Sequence, residues 1–145
     1  MQYDVVIVGA GPSGLCTAIK LKQLEPDINV CILEKGSEVG AHILSGNVFE
    51  TKALDELFPK WKEQGAPVNV KVSKEKFLFL GKHKSLSWPV WLLPSVQKNH
   101  NNYIVSLANL CRWLEEQAEK LGVEIFPGFP ASEVIYNTDG SVKGV

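Results

Sequence analysis

A strand, a glycine-rich turn, a helix, a second strand and an acid succeed one another within residues 3–34, and no other feature constrains the fold as much. Tyr3-Asp4-Val5-Val6-Ile7-Val8 is a nearly unbroken β-branched run ending in glycine, the pattern of a buried parallel strand. Leu15, Ala18, Ile19 and Leu24 then recur at helical spacing, and Pro26-Asp27 ends that helix. Ile28-Asn29-Val30-Cys31-Ile32-Leu33 is a second buried run, closed by Glu34. A βαβ unit built to bind a dinucleotide takes about 30 residues, and this one fits.

The chemistry of the unit lies in Gly9-Ala10-Gly11-Pro12-Ser13-Gly14. Gly9 permits a tight turn out of the strand, Gly11 has no Cβ to hold a pyrophosphate off the backbone, and Gly14 lets the helix approach the strand. The helix N-terminus offers unpaired N–H groups and about half a positive charge to an anion. Glu34 follows Gly14 by about 20 residues, where a carboxylate can accept from both ribose hydroxyls. A 2′-phosphate would meet a like charge there, which argues against NADP. FAD is favoured over NAD because the unit opens the chain and because Glu34 leads into a long loop, residues 35–47, instead of another helix. With Gly40, Ser45 and Gly46, that loop can lie along a long cofactor.

Beyond the loop the sequence predicts a short helix over 51–58, stopped by Pro59, then strands at 68–72, Phe77–Leu80 and Ser85–Trp88. They read as a small antiparallel region inserted into the nucleotide-binding fold. Ser106 can cap a helix with Leu107, Leu110, Leu114, Ala118 and Leu121 on its apolar face and Gly122 as its stop. Residues 123–126 are the next parallel strand, and 134–136 pairs with 142–145 across an Asp139-Gly140 turn. The fold class expected is α/β, a Rossmann-like parallel sheet formed by residues 1–50 and 99–145. Residues 51–98 are the inserted helix and β region.

Composition narrows the functions. The chain has 145 residues, 45 % hydrophobic and 21 % charged, as an ordinary globular domain has. Its formal net charge of −1 and scattered Lys and Arg give no basic stripe, so nucleic acid is not an expected partner. Cys16, Cys31 and Cys111 show no metal-ligand spacing and read as small core residues in a reducing compartment. No apolar stretch reaches the roughly 20 residues of a spanning helix, so any membrane contact is peripheral. An α/β nucleotide-binding fold with an added region usually needs more chain than this, and a fragment is expected.

The residues Val5 to Leu15, Leu33-Glu34-Lys35, Gly40-Ala41-His42-Ile43-Leu44-Ser45-Gly46, Glu56-Leu57-Phe58-Pro59-Lys60-Trp61-Lys62, Gly65-Ala66-Pro67 and Asn99-His100-Asn101-Asn102-Tyr103 together resemble the electron transfer flavoprotein:ubiquinone oxidoreductases. The likeness continues through residues 113–123 and 139–144. Many flavoproteins share the first motif; the Gly-Ala-His-x-Leu-Ser-Gly loop and the Leu-Phe-Pro-x-Trp-Lys segment are more specific. The resemblance implies a peripheral membrane enzyme, on the cytoplasmic face of a bacterial inner membrane, that carries electrons from reduced electron transfer flavoprotein to ubiquinone. It also implies FAD and a [4Fe-4S] cluster, the latter in a C-terminal part outside this sequence. Gly9, Gly11, Ser13 and Gly14 would then hold the pyrophosphate and Glu34 the ribose, the loop with His42, Ser45 and Gly46 would approach the flavin, and Pro12 and Lys35 complete the cofactor-binding set.

Relatives often carry an Arg near the start of the helix before Trp113, where this chain has Ser106. No catalytic acid, base or nucleophile is assigned, because in such enzymes the cofactors carry the electrons. Two alternatives share the fold: a flavin-dependent hydroxylase or reductase, and a non-enzymatic lipid-binding protein of the GDP-dissociation-inhibitor kind, against which the three intact glycines count. Leu54, Leu57, Phe58 and Trp61 fall on one side of a helix flanked by Lys52, Lys60 and Lys62. From the residues alone, this stripe packs inward. The resemblance implies that it meets the membrane.

Overall fold

The structure is a computed structural model and describes residues 1–44 and 46–145. Its first layer is a parallel sheet. Strand β1 (Val5–Val8) leads through helix α1 (Pro12–Leu24) to β2 (Val30–Glu34), with Val5 opposite Val30 and Val8 opposite Leu33. The chain then makes a long excursion containing β3 (Asn47–Phe49), α2 (Lys52–Leu57), β4 (Val70–Lys71), β5 (Phe77–Leu80), β6 (Ser85–Trp88), two 3₁₀ turns and β7 (Tyr103–Val105). Helix α3 (Leu107–Lys120) brings it back to β8 (Glu124–Pro127), which lies parallel to β2. The order β1-β2-β8 puts β2 in the centre, which explains why Val30, Cys31 and Ile32 are all buried.

Helices α1 and α3 pack on each other and on one face of this sheet. Leu15, Ala18 and Ile19 from α1 meet Leu110, Cys111, Leu114 and Ala118 from α3 in a continuous core with Val30 and Ile32. Ser106 caps α3, accepting from the Asn109 N–H, and Gly122, at a φ of +82°, turns the chain out of its end. A hairpin of β9 (Ile135–Tyr136) and β10 (Val142–Gly144) closes at Asp139-Gly140-Ser141, where Asp139 Oδ1 accepts from the Ser141 N–H and hydroxyl.

Several boundaries differ from expectation. The second strand begins at Val30 rather than Ile28 and includes Glu34. Leu24, the last residue of α1, is exposed, and Leu21 packs on the core instead. Leu121 also lies at the surface. Residues 47–49, where the sequence predicts no strand and Asn47 ends the expected loop, form β3, which pairs with β7; β4 flanks β7 from the other side. The antiparallel region is therefore two sheets, β3-β7-β4 and the separate β5–β6 hairpin.

The stripe on α2 requires a correction. Leu54 is 4 % exposed and Trp61 3 %, both in the main core, and Leu57 and Phe58 pack against it. Trp61 donates its indole N–H to Asp55 Oδ1 at 2.6 Å, and Phe58 meets the Trp113 ring edge-on at 5.3 Å. The Trp113 indole in turn donates to Gln64 O. This face is interior, so these side chains are not free to meet a membrane.

Candidate functional site

The turn from β1 to α1 is shaped by its glycines in measurable ways. Gly9 takes a φ of +100° and donates its N–H to Leu33 O at 2.7 Å, tying the turn to β2. A Cβ on Gly14 would stand 2.0 Å from Gly9 O, a clash with backbone that nothing could relieve cheaply. A Cβ on Gly11 would meet nothing within 4 Å. Gly11 therefore faces open space, where a bulky anion can approach the backbone. Gly11 is also the N-cap of α1 and supplies no side-chain cap, while Pro12 occupies the first turn, where its missing N–H costs nothing. The N–H groups of Ser13 and Gly14 belong to that uncapped first turn and have no intrahelical acceptor.

Glu34 stands at the end of β2, beside this turn. Its Oε2 accepts from the Ala10 N–H at 2.8 Å and its Oε1 from the Gly36 N–H at 2.7 Å. Burial pushes its carboxyl up, but these two N–H bonds, with the charges of His42 and Lys35, outweigh it and hold the group below the usual carboxylate range. It is thus an anion with one lone pair left on each oxygen for further donors. The backbone around it is also engaged: Phe129 N–H donates to Glu34 O and Gly128 N–H to Gly36 O, fixing the segment after β8 against the loop after β2. A hollow of about 290 Å³ lies there, lined by Val8, Gly9, Glu34, Lys35, Pro130 and Ala131.

The loop after Glu34 is fastened on its other side to α3. A Cβ on Gly40, at a φ of +85°, would stand 3.0 Å from Ala108 O, so glycine permits the close approach. Glu38 Oε1 pairs with Arg112 Nη2 at 3.0 Å. His42 is exposed, and its Nδ1 lies 3.3 Å from the point where a Gly36 Cβ would be, with Glu34 Oε1 3.1 Å from the same point. Gly46 has a φ of +84° and open space where a Cβ would be. Ser45 lies outside the described residues.

The structure therefore brings together Gly9, Gly11, Pro12, Ser13, Gly14, Glu34, Lys35 and His42, while Leu54, Leu57, Phe58 and Trp61 belong to the core. Sequence reasoning missed the Ala10 and Gly36 N–H groups that anchor Glu34, the lining by Pro130 and Ala131, and the docking of the loop on α3. The glycines at 36 and 40 were the available signal, but spacing does not say what a glycine must pass. The cysteines are spread over α1, β2 and α3, and among the described residues no group of three or more His, Cys, Asp or Glu side chains could hold a metal ion. No described helix is long and apolar enough to cross a membrane.

A parallel β1-β2-β8 sheet with a glycine turn open above Gly11, and an ionised acid at the tip of β2, defines a dinucleotide-binding α/β protein of the flavoprotein type. The chain belongs to the Thi4 family, whose model matches residues 1–75. Over its whole length the chain is 56 % identical to a probable electron transfer flavoprotein-ubiquinone oxidoreductase of Acinetobacter baylyi, covering 26 % of that protein. Electron transfer flavoprotein-ubiquinone oxidoreductases of Oryza sativa and Pseudomonas aeruginosa are 55 % and 54 % identical over all of this chain and 25 % and 27 % of their own. The chain thus spans about a quarter of the length of these relatives. Among solved structures it is similar to a geranylgeranyl bacteriochlorophyll reductase-like protein of Thermoplasma acidophilum, with a TM-score of 0.65 and 22 % identity over 94 % of this chain and 32 % of that one. It is also similar to THI4 of Thermovibrio ammonificans, at 0.58 and 21 % over 98 % and 45 %. A myxobacterial chondrochloren halogenase, described as a variant of FAD-dependent halogenases, matches at 0.61 and 17 % over 99 % and 34 %. These likenesses establish the fold.

Proposed function

We propose that this chain is the N-terminal, FAD-binding part of a peripheral membrane enzyme that takes electrons from reduced electron transfer flavoprotein and passes them to ubiquinone. The observation that carries the reading is the identity of 52 to 57 % with proteins of that name, sustained along the whole chain in bacterial and eukaryotic relatives. The residues fit the cofactor. Gly11 leaves the backbone open, the first turn of α1 presents N–H groups and a positive dipole end to a pyrophosphate, and Glu34 keeps acceptor capacity for ribose hydroxyls. The hollow beside Val8, Pro130 and Ala131 suits the adenine side.

FAD, when bound, supplies the redox chemistry. The chain's own residues bind and orient it: Glu34 fixes the ribose, Gly9 to Gly14 the pyrophosphate, and residues 38–44, clasped to α3 through Gly40 and the Glu38–Arg112 pair, cover the stretch toward the flavin. The [4Fe-4S] cluster that the resemblance implies would be held by residues other than Cys16, Cys31 and Cys111.

The membrane contact belongs, in this reading, to the β5–β6 hairpin and the turns that follow it, inside the inserted region 51–98. Leu80 is 80 % exposed, Trp91 75 % and Val96 91 %, and every residue from 81 to 89 is at the surface. The α2 stripe and Trp61 side with the FAD-binding core instead. The test is made on the full-length protein. Its flavin absorbance should bleach on adding reduced electron transfer flavoprotein and return with a soluble ubiquinone analogue. Bleaching by NADPH and not by the flavoprotein would move the assignment to a hydroxylase or reductase.

A further inference from the structure

We propose that the membrane-facing hairpin selects anionic lipid, with Lys82 and Lys84 at its tip meeting the phosphate-bearing headgroups while β5 and β6 lie flat on their aromatic face. The proposal rests on the membrane reading above and names the lipid class that reading leaves open.

The register sets the geometry. Phe77 lies opposite Trp88 and Phe79 opposite Leu86, and directly opposed residues share a face of the ribbon. Phe77 and Phe79 stand edge-on at 5.3 Å, Phe79 and Trp88 at 6.0 Å, so this face is one aromatic patch. The other face alternates Leu78 and Leu80 with Ser87 and Ser85. An exposed patch of this kind needs an apolar partner, and a ring half buried at a headgroup boundary suits Trp88 and Trp91.

Charge decides which surface that partner presents. The tip is Gly81-Lys82-His83-Lys84, closed by the Gly81 N–H donating to Lys84 O at 2.8 Å. Between residues 74 and 98 there are five lysines and one acid, Glu75, although the chain as a whole carries a net charge of −1. Glu75 is engaged at the base of the hairpin, accepting from the Asn99 backbone and side-chain amides. Among the described residues Lys82 and Lys84 form no salt bridge, so the tip is an uncompensated cationic end on an apolar ribbon within a net acidic remainder. Strands of four residues span about 13 Å. Tip-first insertion would drive both lysines into hydrocarbon, whereas a flat ribbon lets their stems follow the apolar surface and their ammonium groups reach phosphate.

The experiment is co-sedimentation of the flavin-loaded full-length protein with phosphatidylcholine vesicles and with vesicles containing phosphatidylglycerol. Binding is expected to favour the anionic vesicles, and Lys82→Gln with Lys84→Gln should weaken it there by about fivefold per lysine. Binding to neutral vesicles and flavin content should stay unchanged. Raising the salt should erase the preference. Phe79→Ser with Trp91→Ser should weaken binding to both kinds of vesicle alike. Equal binding to neutral and anionic vesicles, or a preference that survives loss of both lysines, overturns the lipid selectivity and leaves the membrane reading standing. Failure to bind either vesicle overturns the membrane reading itself.

Discussion

The β1-α1-β2-α3 unit and the β5–β6 hairpin use their apolar residues in opposite ways. In the β1-α1-β2-α3 unit, Leu15, Ile19, Ile32, Leu110 and Leu114 are almost wholly buried, and each helix turns its apolar face to the sheet. In the β5–β6 hairpin, Leu78, Phe79, Leu80, Leu86 and Trp88 are exposed although their pattern is just as strand-like. Apolar character therefore marks the surface a residue must meet, and only the packing shows whether the protein itself supplies that surface.

Paired truncations break this comparison most sharply. Leu15→Ala, in the close-packed layer between sheet and α3, should cost about 2–5 kcal/mol. Leu80→Ala, at the outer end of the hairpin, should stay within about 0.5 kcal/mol. Hydrogen exchange of the β1 and β2 amides in the full-length protein reads both. A comparable loss at Leu80 would mean that the hairpin is buried elsewhere in the whole protein.

A smaller effect is expected at the site that the packed unit positions. Glu34→Arg removes a charged acceptor and adds a cation, which should cost about 1.5–3 kcal/mol of FAD affinity, roughly tenfold or more. Flavin absorbance after exhaustive dialysis measures it. Unchanged retention would remove Glu34 from the binding site, even though its bonds to Ala10 and Gly36 would still be broken.

The smallest effect concerns the join between the two regions, at α2. The Asp55 carboxyl is held below the usual carboxylate range, chiefly by the Trp61 indole N–H and then by the Thr51 hydroxyl. Because its folded value is depressed, its stabilisation is present above the ordinary carboxylate range and is lost as pH falls through the folded value. Protection of the α2 amides should therefore drop in acid, and Asp55→Asn should flatten that drop while lowering protection at pH 7. An acid profile identical in the variant would show that Asp55 has no part in it.

What could be read from the sequence was local or periodic. Gly9, Gly11, Gly14 and Glu34 sit at fixed intervals because one βαβ unit sets them, and α3 was legible from Ser106 to Gly122 because cap, apolar face and stop are all short-range signals. Pairing between distant segments was not legible. Nothing near residues 47–49 announces that β3 will find β7, and a stripe such as Leu54, Leu57, Phe58 and Trp61 reveals a face without its partner. The anchoring of Glu34 by Ala10 and Gly36 was hidden for another reason, since backbone N–H groups carry no residue signature.

That anchoring bears on how a ligand would be received. With Gly9 tied to Leu33, Ala10 to Glu34 and Phe129 to the Glu34 carbonyl, the turn is already fixed in shape before any dinucleotide arrives. Little backbone entropy remains to be lost on capture, so more of the contact energy appears as affinity. Loosening a single strap would make the empty site fluctuate, and its signature would be a slower, more entropically costly association even where every contact in the filled site could still form.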